Sequence, residues 1–208
     1  MAVLTRRVAI LSAAGAALAP ATLRAEVTAA PGDMSIGDPK APVHVVEYLS
    51  LTCPHCADFH DEVFPSFKAK YIDTGRVYFT IRELLTAPAN VAAAGFLMAR
   101  CRGGAKYFEI VGDVLESQSR WQTGSIKPIF VEIAKKHGID QAQFDACITD
   151  EKAQIALEQR LQYATQTDKV TGTPTFFVNG VLLPNDHVPT LAELDAAITK
   201  ALKTGGRR

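Results

Sequence analysis

The chain has 208 residues, of which 22 are basic, 22 are acidic and 48% are apolar. A net charge of zero provides no basic field for nucleic acid and no polybasic patch for a membrane surface, so the balance argues against both as binding partners. The length and apolar content suit one well-cored domain with an insertion.

Residues 1–25 have the pattern of an export signal. Arg6 and Arg7 precede a moderately apolar stretch from Val8 to Ala19, and Ala25 is a small residue at a plausible cleavage point. A membrane-spanning helix would need about 20 strongly apolar residues, so an uncleaved anchor is the weaker alternative. The arginine pair leaves the twin-arginine route open beside the general one. Either route predicts a periplasmic protein, and cleavage would leave a net charge of about −3.

The first predicted strand follows a segment without periodicity. Residues 26–41 are rich in Ala, Pro, Gly and Asp, which predicts a flexible lead-in and a folded part that begins near Pro42. Val43 to Leu49 then predicts a buried strand. Glu47 is the exception within it, because a buried carboxylate is costly unless it is paired or has a function.

Two cysteines mark the start of the next helix, in Cys53-Pro54-His55-Cys56. Pro54 suits a first helical position, where an N–H would have no partner. Cys53 therefore lies at a helix N-terminus, where free N–H groups and the helix dipole favour a thiolate, and a protonated His55 would add to this effect. A histidine on the helix surface without such a role is the alternative. Cys56 lies one turn on, within bonding reach, so the pair can cycle between dithiol and disulfide.

The remaining elements give an α/β pattern that is interrupted by helices. Apolar residues recur every fourth position up to Tyr71, with a kink expected at Pro65, and residues 76–81 predict a second strand. Residues 88–167 predict only helices. Residues 175–183 predict a β-hairpin around Asn179-Gly180, and a last amphipathic helix follows from about residue 190.

From about Pro42 onward the chain resembles the DsbA family of exported thiol oxidoreductases. The resemblance is carried by Cys53-Pro54-His55-Cys56, by Thr171-Gly172-Thr173-Pro174-Thr175 and by the helical block between them. It implies an α/β, thioredoxin-like fold made of residues 42–87 and 168–204, with residues 88–167 as an all-helical insertion. It also implies a cis Pro174 beside the sulfurs. Without the resemblance, a trans proline at the start of an edge strand is the better expectation.

The resemblance implies the roles of the site residues. Cys53 is expected to be the nucleophile, with Cys56 resolving the mixed disulfide, and the backbone of Thr173 is expected to hold an extended peptide. A pKa of Cys53 lowered by ~3 units would favour the reduced form by about 4 kcal/mol, or roughly 90 mV, and would make the protein a disulfide donor. The expected partners are reduced, unfolded or folding exported proteins and a quinone-linked membrane protein that re-oxidises a monomer, with no cofactor beyond the cysteine pair.

Glu47 stands six residues before Cys53, where family members carry a buried acid beneath the active site. The resemblance implies that this acid exchanges the proton of Cys56 through water. A strand-end salt bridge is the alternative. The second strand offers no lysine as an electrostatic partner, since its basic residues are Arg76 and Arg82.

The other two cysteines, Cys101 and Cys147, lie beside apolar residues in the helical block. In an oxidising compartment they predict a structural disulfide, with two separate buried thiols as the alternative. A metal site is not expected: His55 and His60 lie near Cys53 and Cys56, but a structural zinc needs four fixed ligands and only one CxxC is present.

Two other functions stay open. A disulfide isomerase or reductase of the same fold is one, because Thr173 stands before Pro174 where enteric oxidases of the family carry valine. Isomerases of this fold usually dimerise through an extra N-terminal domain, and residues 26–41 are too few to form one. The second is a chaperone or peptide-binding module that keeps the groove without turnover.

Overall fold

The structure, a computed structural model, describes residues 29–123 and 125–204. The predicted export signal, residues 1–25, lies outside these ranges. Within them, no helix combines the length and the apolar character that crossing a membrane requires.

A five-stranded mixed sheet forms the centre of the fold, in the order β1-β3-β2-β4-β5. The central strand β2 is parallel to β3, and the other pairs are antiparallel. Every residue of β2 is buried, as expected for a nearly continuous apolar run covered on both faces. The strands are β1 (Met34–Ile36), β2 (Val43–Leu49), β3 (Val77–Glu83), β4 (Thr175–Val178) and β5 (Val181–Leu182).

Strand β1 corrects the prediction of a flexible lead-in over residues 26–41. It pairs with β3, with Met34 opposite Ile81. The Asp33 carboxylate just before it accepts two hydrogen bonds, both 2.8 Å long, from Arg82. Three strand residues are too few to show a period in the sequence, and the partners that hold them lie more than 40 positions away.

The helical segment after the cysteines is not uniform. It consists of α1 (Pro54–Asp58), a π-helical turn (Phe59–Val63), α2 (Phe64–Phe67) and a second π-helical turn (Lys68–Ile72). Pro65 lies at the start of α2, and because proline has no N–H to donate, an interruption of the α-helical pattern is expected there.

Every regular element that the structure describes between Ala89 and Thr167 is helical. The α-helices are α3 (Ala89–Arg100), α4 (Tyr107–Glu116), α5 (Ile126–Lys136), α6 (Gln141–Thr149) and α7 (Glu151–Gln162). The residue that ends α3 and the last turn of α6 are joined by a disulfide between Cys101 and Cys147, whose Cα atoms are 5.5 Å apart.

The chain then returns to the sheet through β4 and β5. Asn179 and Gly180 link the two strands with φ values of 46° and 77°, the left-handed conformation that two-residue hairpin turns need. Helix α8 (Leu191–Lys203) begins with a capping box between Thr190 and Glu193 and packs on β2 and β4.

The two faces of β2 contact different clusters. Val45 and Leu49 belong to the large core, which also contains Cys53 and Cys56. Tyr48 belongs to a smaller cluster on the opposite face. Because side chains alternate along a strand, Glu47 projects to the same face as Val45 and Leu49, toward the cysteine helix.

Candidate active site

Cys53 is the N-cap residue of α1, with φ −87° and ψ 119°. Its carbonyl oxygen accepts a hydrogen bond from the N–H of Ala57 at 3.2 Å. Pro54 is the first helical residue and is exposed, whereas Cys56 is completely buried. The local sequence therefore places the first sulfur at the helix end and the second within the core.

The loop that carries Cys53 is fixed from two sides. The hydroxyl oxygen of Ser50 accepts a hydrogen bond from the N–H of Thr86 at 3.0 Å. The Gln118 amide donates to the carbonyl oxygens of Leu51 at 2.9 Å and of Cys53 at 3.2 Å. Gln118 lies in the helical block, so it joins the block to the start of α1.

The Cys53 thiol has a pKa lowered from the ordinary value of 9.0 to about 6. Its hydrogen bond with Cys56 is the largest cause, and burial acts in the opposite direction. Thr173 and the backbone N–H groups of Cys56 and His55 add smaller lowering effects. At neutral pH this sulfur is mainly a thiolate when the pair is reduced.

The Cys56 thiol has a pKa raised well above 9.0. Burial is the main cause, followed by the hydrogen bond to Cys53 and by the charge of Glu47. The two sulfurs therefore differ strongly: Cys53 is suited to attack and to leave as a thiolate, and Cys56 keeps a proton.

Glu47 lies inside β2, opposite Ile81 on one side and Phe176 on the other, and is 0% exposed. This interior position argues against the strand-end salt bridge. Its Oε2 accepts a hydrogen bond from Nε2 of His60 at 2.9 Å. Its Oε1 is buried and has no hydrogen-bond partner among the described residues.

His60 is a site residue for which the sequence indicated no role other than that of a possible metal ligand. It lies four residues after Cys56, in the first π-helical turn, so it follows Cys56 by one turn along the same face. This four-residue spacing is the feature of the sequence that could have indicated that His60 lies near Cys56. The imidazole stacks on the Phe64 ring, with the ring centroids 4.7 Å apart. His60 is the partner for Glu47 that the second strand did not offer, since Arg82 instead binds Asp33 and Asp168.

His55 lies on the solvent side of α1. Its side chain is 68% exposed, and its Nδ1 is 3.4 Å from a carboxylate oxygen of Asp58. In the described part of the chain, no hydrogen bond joins the imidazole to a cysteine sulfur. The backbone N–H of His55 does favour the Cys53 thiolate, so an added effect of the imidazole stays a prediction.

The loop before β4 lies against the nucleophile. The peptide bond between Thr173 and Pro174 is cis. The Cys53 thiol donates a hydrogen bond to the Thr173 carbonyl oxygen, with the sulfur and oxygen atoms 3.2 Å apart. The two segments on which the sequence resemblance rests therefore meet at Cys53.

A groove runs beside α1, between the cysteine helix and α4. It is lined by residues that include Pro54, Asp58, His60, Phe64, Asp113 and Glu116. In the ranges that the structure covers, no group of three or more His, Cys, Asp or Glu side chains could hold a metal ion.

Known proteins resemble the chain in sequence and in structure. The thioredoxin family model matches residues 29–200. A putative protein-disulfide oxidoreductase of Rickettsia bellii is 34% identical over 173 residues, which are 82% of this chain and 65% of the relative. A probable disulfide bond formation protein D of Bacillus cereus is 27% identical over 176 residues, covering 81% of this chain and 78% of the relative.

The crystal structure of alpha-DsbA1 from Wolbachia pipientis superposes with a TM-score of 0.76 at 28% identity, covering 86% of this chain and 95% of that one. The thioredoxin-like fold with a helical insertion is thereby confirmed. The chain spans 65% of the length of the Rickettsia relative.

Proposed function

Because the chain belongs to the thioredoxin family, we propose that it is an exported thiol:disulfide oxidoreductase that donates its Cys53–Cys56 disulfide to reduced, unfolded or folding proteins. The observation that carries the proposal is the asymmetry of the pair: Cys53 is the N-cap of α1 with its sulfur 3.2 Å from the Thr173 carbonyl oxygen, whereas Cys56 is fully buried. The pKa is accordingly lowered for Cys53 and raised for Cys56. A thiolate that is stable in the reduced pair makes the disulfide easier to give away.

The transfer proceeds in two exchanges. A substrate thiolate attacks the Cys53 sulfur, the bond to Cys56 breaks, and Cys56 takes up a proton because its buried thiolate is unfavourable. A second substrate thiolate then attacks the substrate sulfur of the mixed disulfide and releases Cys53 as a thiolate. Two electrons pass from substrate to protein, and no cofactor is needed.

The other site residues support these steps. Thr173 and Pro174 hold an extended substrate segment beside Cys53, because the Thr173 backbone lies at the sulfur. Glu47 gives and takes the Cys56 proton, because its charge acts directly on that thiol.

Three further features belong to the proposal. The bond between Cys101 and Cys147 supports a periplasmic location, where disulfides persist. The protein acts as a monomer. A quinone-linked membrane protein restores the Cys53–Cys56 disulfide after each transfer.

The test is oxidation of a reduced, unfolded protein that contains several cysteines, compared with refolding of the same protein with scrambled disulfides. An oxidase accelerates the first reaction, an isomerase the second, and a passive binder neither. A reduction potential near about −120 mV is expected, and one near about −270 mV would show a reductase. Cys53→Ser should abolish the activity, whereas the double variant Cys101→Ala/Cys147→Ala is the matched control that should retain it.

A further inference from the structure

We propose that His60 is a positioning residue that orients Glu47 and carries protons between this buried carboxylate and the groove beside α1. The proposal rests on the thiol–disulfide exchange proposed above, because it concerns the proton that Cys56 gains and loses. His60 itself touches neither sulfur nor substrate in this scheme and acts through Glu47.

The buried carboxylate of Glu47 is hydrogen-bonded to His60, which lies on its solvent side. Glu47 is 0% exposed, and its Oε2 is 2.9 Å from Nε2 of His60. Its Oε1 has no hydrogen-bond partner in the part of the chain that the structure describes. The charge of Glu47 raises the pKa of the nearby Cys56 thiol. Glu47 thus contacts the imidazole directly and acts on the Cys56 thiol through its charge.

The imidazole reaches the groove. The His60 side chain is 8% exposed and forms part of the groove wall. Within residues 29–123 and 125–204, its Nδ1 makes no hydrogen bond and is not among the fully buried, unpartnered polar atoms. Phe59 and Phe64 hold the ring between them, with centroid distances of 5.4 Å and 4.7 Å. One nitrogen therefore binds the carboxylate, the other is left for exchange with solvent, and the ring forms part of the groove wall.

The charges around the groove favour proton transfer from the groove to His60. Acidic side chains at its mouth raise the local concentration of cations, including protons. Asp113 is already paired with Lys136 and His137 from α5 and the residue after it. The ionisable groups that face the pair and the groove are Cys53, Cys56, Asp58 and Asp61 from the cysteine segment, and Asp113 and Glu116 from α4.

The proton that Cys56 gains during exchange passes from the groove through His60 and Glu47. When a substrate thiolate displaces Cys56, the Glu47 carboxylate takes the Nε2 proton of His60 and passes a proton to the Cys56 thiolate, so Glu47 ends as a carboxylate again. Nδ1 of His60 takes a proton from a buffer acid or hydrated proton in the groove, and the conjugate base returns to solvent. The reverse sequence removes the proton when Cys56 attacks a mixed disulfide. Neither step requires an oxidant beyond the Cys53–Cys56 disulfide.

The experiment measures the single-turnover rate at which the oxidised protein oxidises a reduced dithiol peptide, followed by the peptide's free thiols. A Gln side chain can donate a hydrogen bond to Glu47 but cannot relay a proton. His60→Gln is therefore expected to slow the reaction by about 100-fold, at the low end of general acid–base effects. The double variant Glu47→Gln/His60→Gln should match Glu47→Gln alone within about twofold, since one residue acts through the other.

A chemical rescue separates proton transfer from a structural role. His60→Ala opens space at the groove wall, and imidazole added to the buffer should restore most of the lost rate. The control is His187→Gln, because His187 is a half-exposed histidine paired with Asp186 and Glu193, away from the groove. This control should retain the wild-type rate and should not respond to imidazole.

Three results would overturn the proposal. The first is a His60→Gln variant as fast as the wild type. The second is a pair of single-variant effects that multiply in the double variant, since His60 would then act independently of Glu47. The third is a folded His60→Ala variant that imidazole does not accelerate; if this variant does not fold, the comparison of the Gln variants decides. A wild type that fails to oxidise the peptide would instead refute the proposed function.

Discussion

The ionisation of Cys53 makes a quantitative prediction about the redox equilibrium as the pH is lowered. The pKa of this thiol falls from 9.0 to about 6 in the folded reduced protein. A lowered pKa stabilises the folded reduced state fully above the ordinary pKa, and this stabilisation is lost as the pH falls through the folded value. The pH range over which the reduced state loses this stabilisation therefore runs from pH 9 down to about pH 6. Cys56, whose pKa is raised, stays protonated over most of this range and contributes little.

The size of the effect follows from the two pKa values. The complete shift is worth about 4 kcal/mol, at about 1.36 kcal/mol per unit, but only above about pH 9. At pH 7 the same two values give about 1.4 kcal/mol, and at pH 5 less than about 0.1 kcal/mol. For a two-electron couple, 1.4 kcal/mol is about 30 mV. The roughly 90 mV expected from the sequence thus applies only at alkaline pH.

The assay compares the reduction potential of the protein with that of dithiothreitol, whose thiols have ordinary pKa values, at pH 7 and at pH 5. The potential of the protein relative to this reference should fall by about 30 mV between the two conditions. Ultraviolet absorbance of the thiolate should titrate with a midpoint near pH 6. A midpoint near the ordinary value of about 8.5, or a potential difference independent of pH, would refute the reasoning.

Other variants test the contacts that hold the site in place. Cys101→Ala/Cys147→Ala should lower the free energy of unfolding by up to about 4 kcal/mol in denaturant titrations, because the bridge closes a loop of 46 residues. Asp33→Asn should cost about 2 kcal/mol by the same measurement, since it removes a charge from the buried Arg82; an unchanged midpoint would show that the lead-in is not firmly bound. Gln118→Ala should cost about 1 kcal/mol per lost hydrogen bond and slow the peptide oxidation described above, whereas unchanged kinetics would show that the loop holds its geometry without this amide.

The sequence predicted the parts of the site that local physics determines. A proline one position after Cys53 is enough to indicate a helix start there, and Cys53 is the N-cap residue in the structure. The apolar run around Glu47 similarly predicts a buried strand, which β2 confirms. In both cases the residues that determine the local structure lie within a few positions of it, so the sequence pattern is sufficient to predict it.

The parts that could not be predicted depend on distant contacts. Strand β1 forms because it pairs with the edge of β3 and because Arg82 binds the carboxylate of Asp33. Gln118 lies 65 positions after the Cys53 carbonyl that it contacts. His60 could be found one turn after Cys56, but its partner, Glu47, is in a different element. No local pattern distinguishes such residues from ordinary surface side chains.

The distribution of unpaired polar atoms connects these contacts to the proposed chemistry. Within the described ranges, two buried side-chain oxygen atoms lack a hydrogen bond of ordinary geometry, Oε1 of Glu47 and Oγ1 of Thr173. Folded proteins rarely leave such atoms unpaired, because each costs about 1–3 kcal/mol. Both belong to residues that influence the thiol pKa values, Glu47 for Cys56 and Thr173 for Cys53. A hydroxyl that favours the Cys53 thiolate can donate to it once the proton has left, and a carboxylate oxygen can accept the proton of Cys56. The unpaired atoms are therefore understandable as hydrogen-bonding capacity that thiol–disulfide exchange uses in its charged states.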